Sequence, residues 1–524
     1  GIYLLIVYSY LSNYIIAHSQ YHNLIVIIFG LLLFILFIKK KIFKFKKEII
    51  LSIIVFSTIF ISLLIFKNHD DFPYYHFPYT HYLTNQSLFF GVGQFNHGFR
   101  TPSSIFYLNS LFYLPLAEYY LFNFGQTFIL GFANIILLKK IHNYFVTFEI
   151  KLVKLNFINY LSLFSLIFIN IFFYRIAEHG TDRSAQILIF IFIIEILNLI
   201  NSNDKKFLGI PYIFLLAAII ISLKAFYILY ILFFLPLFLF SLNKYQNFYS
   251  GTIELINNRF FLLFSVLLIF VLGSYFINTG CIIYPLTFTC IDTLSWSISY
   301  SEVKLMNNWY ELWSKAGAGP NFRVENPQEY IQNFNWLGNW ITEYFFNKVS
   351  DFIFGVIFLI LFVLLLFRQK LNLKNFKKKN KLIFFVYFIL LLLAFEWFYN
   401  HPALRYGGYC IFALILFIPI SILLEANKIN YKKFNKTVFL IILLTSIIFL
   451  TRNVSRINKE VKIYNYEPIK STFYFIDDHY FRIQYELNSL LKKNEDCLIS
   501  EQSCNFKDSK VKKKYGKIIF INSK

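Results

Sequence analysis

The chain has 524 residues, of which 57% are apolar, 21% aromatic and only 15% charged. Too little polarity remains to cover a water-exposed surface, which excludes an ordinary soluble domain and leads to the expectation of a polytopic membrane protein. A formal net charge of +22 would suit nucleic acid, but the lysines gather between apolar runs, where membrane topology alone puts them, so no nucleic-acid partner is expected.

Apolar runs fit to cross about 30 Å of hydrocarbon as helices fall near 2–18, 22–38, 49–66, 116–138, 156–175, 186–200, 208–223, 225–242, 260–277, 351–367, 382–398, 408–424 and 437–451. A window reading therefore predicts about thirteen transmembrane helices. Six connecting segments, 39–48, 139–154, 201–206, 243–259, 368–381 and 427–436, carry clustered Lys and Arg and are cytoplasmic by the positive-inside rule. Alternation then puts 67–115, 176–185, the turn at Lys224, 278–350, 399–407 and everything after 451 outside.

Three regions follow from this topology. Residues 1–48 form a transmembrane hairpin with a basic cytoplasmic loop, 49–451 the main transmembrane domain, and 452–524 an extracytoplasmic tail expected to fold as a small appendage. Met306 is the one methionine, so the N-terminus reads as incomplete, and the first run lacks the basic n-region of a signal peptide. No repeat and no glycine-rich phosphate loop is visible. Cys281 and Cys290 share one outside loop, and Cys497 and Cys504 share the tail; both pairs are disulfide candidates for an oxidising compartment. Cys410, at the start of a span, reads as a buried thiol.

The polar residues predicted on the outside form a short list. The first loop carries Asp70, Asp71, His76, His81, His97 and Arg100; the next carries Glu178, His179, Asp182 and Arg183; Lys224 stands nearly alone; and the late turn holds Glu396, His401, Arg405 and Tyr406. Ionisable groups at membrane depth are functional candidates by default. Each also has a plainer reading: Asp71 as a helix cap, Lys224 as a snorkelling cation, Arg405 as a partner of lipid headgroups. The spacing of His69, His76 and His81 matches no compact zinc motif.

Five short patterns occur in order. Asp71, Tyr75, His76 and Pro78 come first, then Asp182 opening "TDRSAQILIF", then Lys224 with Phe226 and Pro236, then Gly280, Tyr284 and Pro285, and last Arg405–Tyr406. In this series the chain, over roughly residues 50–425, resembles the GT-C superfamily of membrane glycosyltransferases, in particular the bacterial group of protein mannosyltransferases and the lipid A aminoarabinose transferase. It departs from that group in having about three spans before the Asp loop rather than one, and a pair, Asp70–Asp71, instead of a single Asp.

The resemblance implies an all-α, GT-C-like fold with helices in its external loops. It implies transfer of a sugar from a polyprenyl-phosphate donor to a glycan or lipid acceptor, on the extracytoplasmic side of a bacterial inner membrane. Asp71 then becomes the base, with His76 and Tyr75 as its shell, and Lys224 and Arg405 grip the phosphate. Asp182 either orients the acceptor or shares a divalent ion, Mg or Mn, with Asp71. Arg100 and Tyr406 complete the substrate-binding set. If 71–78 is helical, Asp71, Tyr75 and Pro78 share a face and Asp70 points about 100° away. Trp309, Trp313, Trp336 and Trp340 fit an interfacial belt somewhat better than a sugar-stacking wall. Three other readings stand beside this one: an O-antigen-type polymerase or ligase working through Arg and His, a lipid-linked glycan transporter, which would show interrupted helices and inverted repeats, and an inactive scaffold.

Overall fold

The structure is a computed structural model that describes residues 1–39, 42–65, 71–142, 156–176, 180–202, 210–245, 253, 256–319, 324–367, 381–426, 431–465, 467–469, 489, 504–506, 509–514 and 517–522. Its longer helices, in chain order, are α1 (Ile2–Asn13), α2 (Gln20–Lys39), α3 (Ile42–Ile59), α4 (Phe77–Asn85), α5 (Ser104–Ser110), α6 (Phe124–His142), α7 (Phe157–Phe172) and α8 (Gly180–Ser202). They continue as α9 (Ile210–Leu223), α10 (Phe234–Tyr245), α11 (Arg259–Thr279), α12 (Tyr300–Lys315), α13 (Ser350–Phe367), α14 (Lys381–Asn400), α15 (Gly408–Glu425) and α16 (Tyr431–Tyr464). Three short strands, β1 (Cys504–Phe506), β2 (Ser509–Lys514) and β3 (Lys517–Asn522), form an antiparallel sheet near the C-terminus.

The protein is an all-α polytopic membrane protein. Among the described residues ten helices are long and apolar enough to cross a membrane, and three shorter apolar ones, Ile2–Asn13, Phe157–Phe172 and Tyr212–Leu223, lie beside them. The run read as a span over 2–18 is not one continuous helix: α1 stops at Asn13. At about 1.5 Å per residue its 12 residues cover only about 18 Å. Polar side chains explain the stop. Asn13 donates to the carbonyls of Leu83 (3.3 Å) and Gln86 (3.2 Å), and buried His18 bonds Ser12 through Nε2 (2.9 Å) and Ser110 through Nδ1 (2.7 Å). These bonds tie the α1–α2 corner to the loop helices α4 and α5 instead of letting it run on.

Burial sorts the helices by role. In α2 only Asn23 is buried, and apolar side chains such as Ile25, Phe29, Leu32 and Phe37 are exposed around its circumference, as suits a helix facing lipid. By contrast α7 is apolar all round and buried along nearly its whole length, the mark of a core helix. Its start is fixed by a reciprocal cap between Asn156 and Asn159. Helix α8 is the central post, packed against α6, α7, α9, α14 and α15. It holds Asp182 in its first turn.

The span expected over 225–242 is built in two pieces, a 3-10 stretch over Ala225–Phe233 followed by α10. Helix α16 is 34 residues long, or about 51 Å, far more than a bilayer needs. Within the tail, β3 meets the first loop: Phe90 bridges Ile519, with Phe90 N donating to Ile518 O and Phe520 N to Phe90 O, both at 2.9 Å. Phe520 is buried beside Phe89 and Phe95. The end of the chain is thus fastened to the same loop region as α4 and α5. Cys281 and Cys290 form a disulfide; Cys410 is buried and free; Cys497 lies outside the described residues, and Cys504 opens β1.

Candidate functional site

Four charged side chains, each at the end of a different element, meet at one end of the bundle. Asp71 immediately precedes a π-helical turn, Phe72–His76, that runs into α4; such turns occur disproportionately at functional sites. Asp182 sits in the first turn of α8, where the positive end of the helix dipole favours its charge. Lys224 is the extended residue between α9 and the 3-10 stretch. Arg405 lies in a one-turn 3-10 helix, Leu404–Tyr406, and Gly407 (φ 105°) then reverses the chain into α15. A Cβ-bearing residue is strained at that φ.

Arg405 bridges the two acids, with Nη2 donating to Asp71 Oδ2 at 2.8 Å and Nε to Asp182 Oδ2 at 3.0 Å. Lys224 Nζ takes the other oxygen, Oδ1, of Asp182. Both oxygens of Asp182 are therefore held by cations, and its side chain is 8% exposed against 26% for Asp71. The two acids are not equivalent: Asp182 is the buried anchor and Asp71 the acid nearer the opening. Burial works against the Arg405 charge, but Asp182 and Asp71 more than offset it, so its pKa lies well above even the usual arginine range. Burial pushes the Lys224 ammonium down, Asp182 opposes this, and Arg405 adds to it, with a net lowering.

Aromatic rings wall the cluster. Lys224 Nζ stands 4.6 Å from the centre of the Tyr406 ring, and the Arg405 guanidinium lies 5.3 Å from Trp313 and 5.6 Å from Tyr406. Tyr75 lies within reach of the charges of Asp71, Arg405 and Asp182. His76, expected in the shell of Asp71, is buried edge-on against Tyr75 (4.4 Å) and tilted on Phe106 (5.2 Å). Pro78 is buried in the first turn of α4.

Residues without charge set the geometry, and of them only Trp340 stood out in the sequence, in a different role. Gln186, one turn along α8 from Asp182, donates to the Arg405 carbonyl (2.9 Å) and accepts from Cys410 N–H (3.1 Å). Trp340 Nε1 donates to Pro402 O (2.9 Å), Trp397 Nε1 to Ala403 O (2.8 Å), and Leu404 N–H to the Tyr344 hydroxyl (2.8 Å). The 402–405 backbone is thus gripped from several sides. Ser103 Oγ donates to the Leu223 carbonyl (2.6 Å), next to Lys224. The expectation of an interfacial tryptophan belt is corrected here. Trp336 and Trp340 are buried, packed against Phe398 and each other, and Trp313 belongs to the site wall; only Trp309 is exposed, at 40%.

Gly98 is a point of close approach, since a Cβ there would stand 2.3 Å from Tyr75 Cβ. Gly98→Ala is expected to push Tyr75 out of place and to cost about 1–3 kcal/mol, as overpacking does, visible as a lower thermal midpoint in detergent. An unchanged midpoint would mean that this contact relaxes without strain.

Beside the cluster, Arg100 is tied down on three sides. It donates through Nε to Gly93 O (2.9 Å), through Nη2 to Glu302 (2.6 Å) and through Nη1 to the Tyr284 hydroxyl (3.4 Å). Gly280 (φ 78°) ends α11 just before that tyrosine. His97 Nε2 lies 3.0 Å from Met306 Sδ. Burial first, then Arg100, lowers the pKa of His97 to about 4, which leaves it neutral at pH 7. Other predicted candidates sit apart. Arg183 turns toward Phe173 and the Arg175 carbonyl, His81 bonds Tyr119 (2.9 Å), and Glu396 bonds Asn400 (3.1 Å). Asp70, Glu178 and His179 lie outside the described residues.

A divalent ion shared by Asp71 and Asp182 does not fit this arrangement. The Arg405 guanidinium already stands between the two carboxylates, and Lys224 takes the remaining oxygen of Asp182. Among the described residues no group of three or more His, Cys, Asp or Glu side chains comes together as a metal site.

A family model described as "Domain of unknown function (DUF8201)" matches residues 1–412. The chain belongs to the DUF8201 family. No curated protein and no solved structure matches it. The DUF8201 match takes in Asp71, Asp182, Lys224 and Arg405 together with Gln186 and the tryptophans that hold the 402–405 turn.

Proposed function

We propose that this chain is a membrane glycosyltransferase that takes a sugar from a polyprenyl-phosphate donor and passes it to a glycan or lipid acceptor on the extracytoplasmic side of a bacterial inner membrane. The observation that carries the reading is the convergence of Asp71, Asp182, Lys224 and Arg405, far apart in sequence, into one aromatic-walled ion cluster where four elements end.

Two carboxylates and two cations sum to zero charge, so the cluster is stable without a ligand yet has two cations to offer. A donor phosphate approaching Lys224 and Arg405 competes with the aspartates for their N–H groups. As Arg405 Nη2 passes from Asp71 to the phosphate, Asp71 loses a cationic partner and becomes a better base. It then accepts the proton of the acceptor hydroxyl while that oxygen attacks the anomeric carbon. The bond from the anomeric carbon to the phosphate oxygen breaks, and its electron pair leaves with the phosphate, whose added charge Lys224 and Arg405 take up. Asp182 keeps both cations aimed at the leaving group.

The test is sugar transfer by the purified protein in nanodiscs, using polyprenyl-phosphate hexoses and mixed glycan and lipid acceptors. Release of polyprenyl phosphate in step with product is the expected result. Movement of the intact lipid-linked sugar across the bilayer, with no bond cleaved, would favour a transporter instead.

A further inference from the structure

His401 is a partly buried polar group that the mechanism above does not use. It follows α14 directly and opens the turn that carries Arg405. Its ring stands edge-on to Phe226 (5.4 Å) and to Tyr406 (6.0 Å), the ring over which Lys224 lies. Its Nδ1 is buried and has no hydrogen-bond partner among the described residues. An orphaned nitrogen of this kind normally costs about 1–3 kcal/mol and needs an explanation.

The surroundings restrict what that partner is. The charges that reach His401 are those of Lys315 and Lys224, both cationic. Lys315 is 1% exposed, bonded to Glu311 (2.5 Å) and the Ile331 carbonyl (2.9 Å), and lies over the Trp336 and Tyr399 rings. Its charge is met by Glu311, as that of Lys224 is by Asp182. Burial, then Lys315, then Lys224 lower the pKa of His401 to about 4, so the imidazole is neutral at pH 7. A neutral imidazole near two lysines is suited to donate one N–H to an anion without adding a further full charge to be neutralised.

We propose that His401 is a binding residue for the anionic group that Lys224 receives, donating a hydrogen bond to a phosphoryl oxygen through Nδ1. The inference rests on the reading of the cluster as a site for a polyprenyl-phosphate donor.

The experiment measures binding of polyprenyl phosphate, without a sugar, to wild type, His401→Phe and His401→Asn in nanodiscs. Phe keeps the ring packing against Phe226 and Tyr406 and removes the donor; Asn keeps a donor near the Nδ1 position. Loss of a hydrogen bond to a charged group predicts about tenfold to hundredfold weaker binding by His401→Phe, with Asn restoring much of it. Equal affinity of His401→Phe and wild type would overturn the assignment while leaving the site reading in place. So would equal weakening of both variants accompanied by lower thermal midpoints, which is the signature of a packing role. Failure of wild type to bind polyprenyl phosphate at all would remove the site reading, and this inference with it.

Discussion

Asp71→Asn is expected to lower sugar transfer by about 10²–10⁴-fold, the usual contribution of a general base, while the protein stays folded. The fold should tolerate the change because Asp71 is the more exposed acid of the cluster and meets Arg405 through Nη2 to Oδ2. An asparagine oxygen at that position still accepts from Arg405, and Asp182 keeps its own bond to the guanidinium. What asparagine cannot do is take a proton from the attacking hydroxyl. Asp71→Glu restores the carboxylate about one methylene out of place and should recover only part of the rate. Initial rates with matched thermal midpoints separate the two effects. Transfer unaffected by Asp71→Asn would end the base assignment and favour chemistry run by arginine and histidine.

Arg405→Leu is expected to abolish transfer and to destabilise the protein by about 3 kcal/mol, the lower end of the range for stripping one partner from a buried ion pair. The lower end applies because Asp71 keeps some contact with solvent and Asp182 keeps Lys224. The cluster then carries one net negative charge against a wall of Trp313 and Tyr406. Arg405→Lys should regain part of the stability but little of the rate, since a single ammonium cannot span two carboxylates as the planar guanidinium does. The double variant Asp182→Asn/Arg405→Leu removes the excess charge and should be less destabilised than the two single changes added together, by about 0.5–3 kcal/mol, and still inactive. Strict additivity of the two losses would mean that these residues do not act on each other.

The membrane character of the chain follows from composition, because a sequence this apolar has no soluble way to cover its surface. The positions of the long spans follow from run length, because every backbone group in hydrocarbon must be bonded within its own helix. The residues of the cluster were also legible. Asp71, Asp182, Lys224 and Arg405 are charges placed beside apolar runs, where an unused charge is expensive. Lysine clustering predicted that all four sit on one side, and the structure gathers them at one end of the bundle.

What tertiary structure decided is which charge meets which. No spacing rule relates position 71 to position 405, yet their pairing sets Asp71 apart as the exchangeable acid, makes Asp182 the anchor, and puts a guanidinium where a metal had been considered. The uncharged grips Gln186, Tyr344 and Trp397 were illegible for the same reason, as was the role of Trp340, since a single amide, phenol or indole in an apolar chain looks like any other core or interface residue until its partner is known. The early stop of α1 and the docking of β3 on Phe90 likewise depend on contacts between distant segments. Hydropathy and charge act along the chain and can be read from it; directed hydrogen bonds and ion pairs act across it and exist only once the chain has folded.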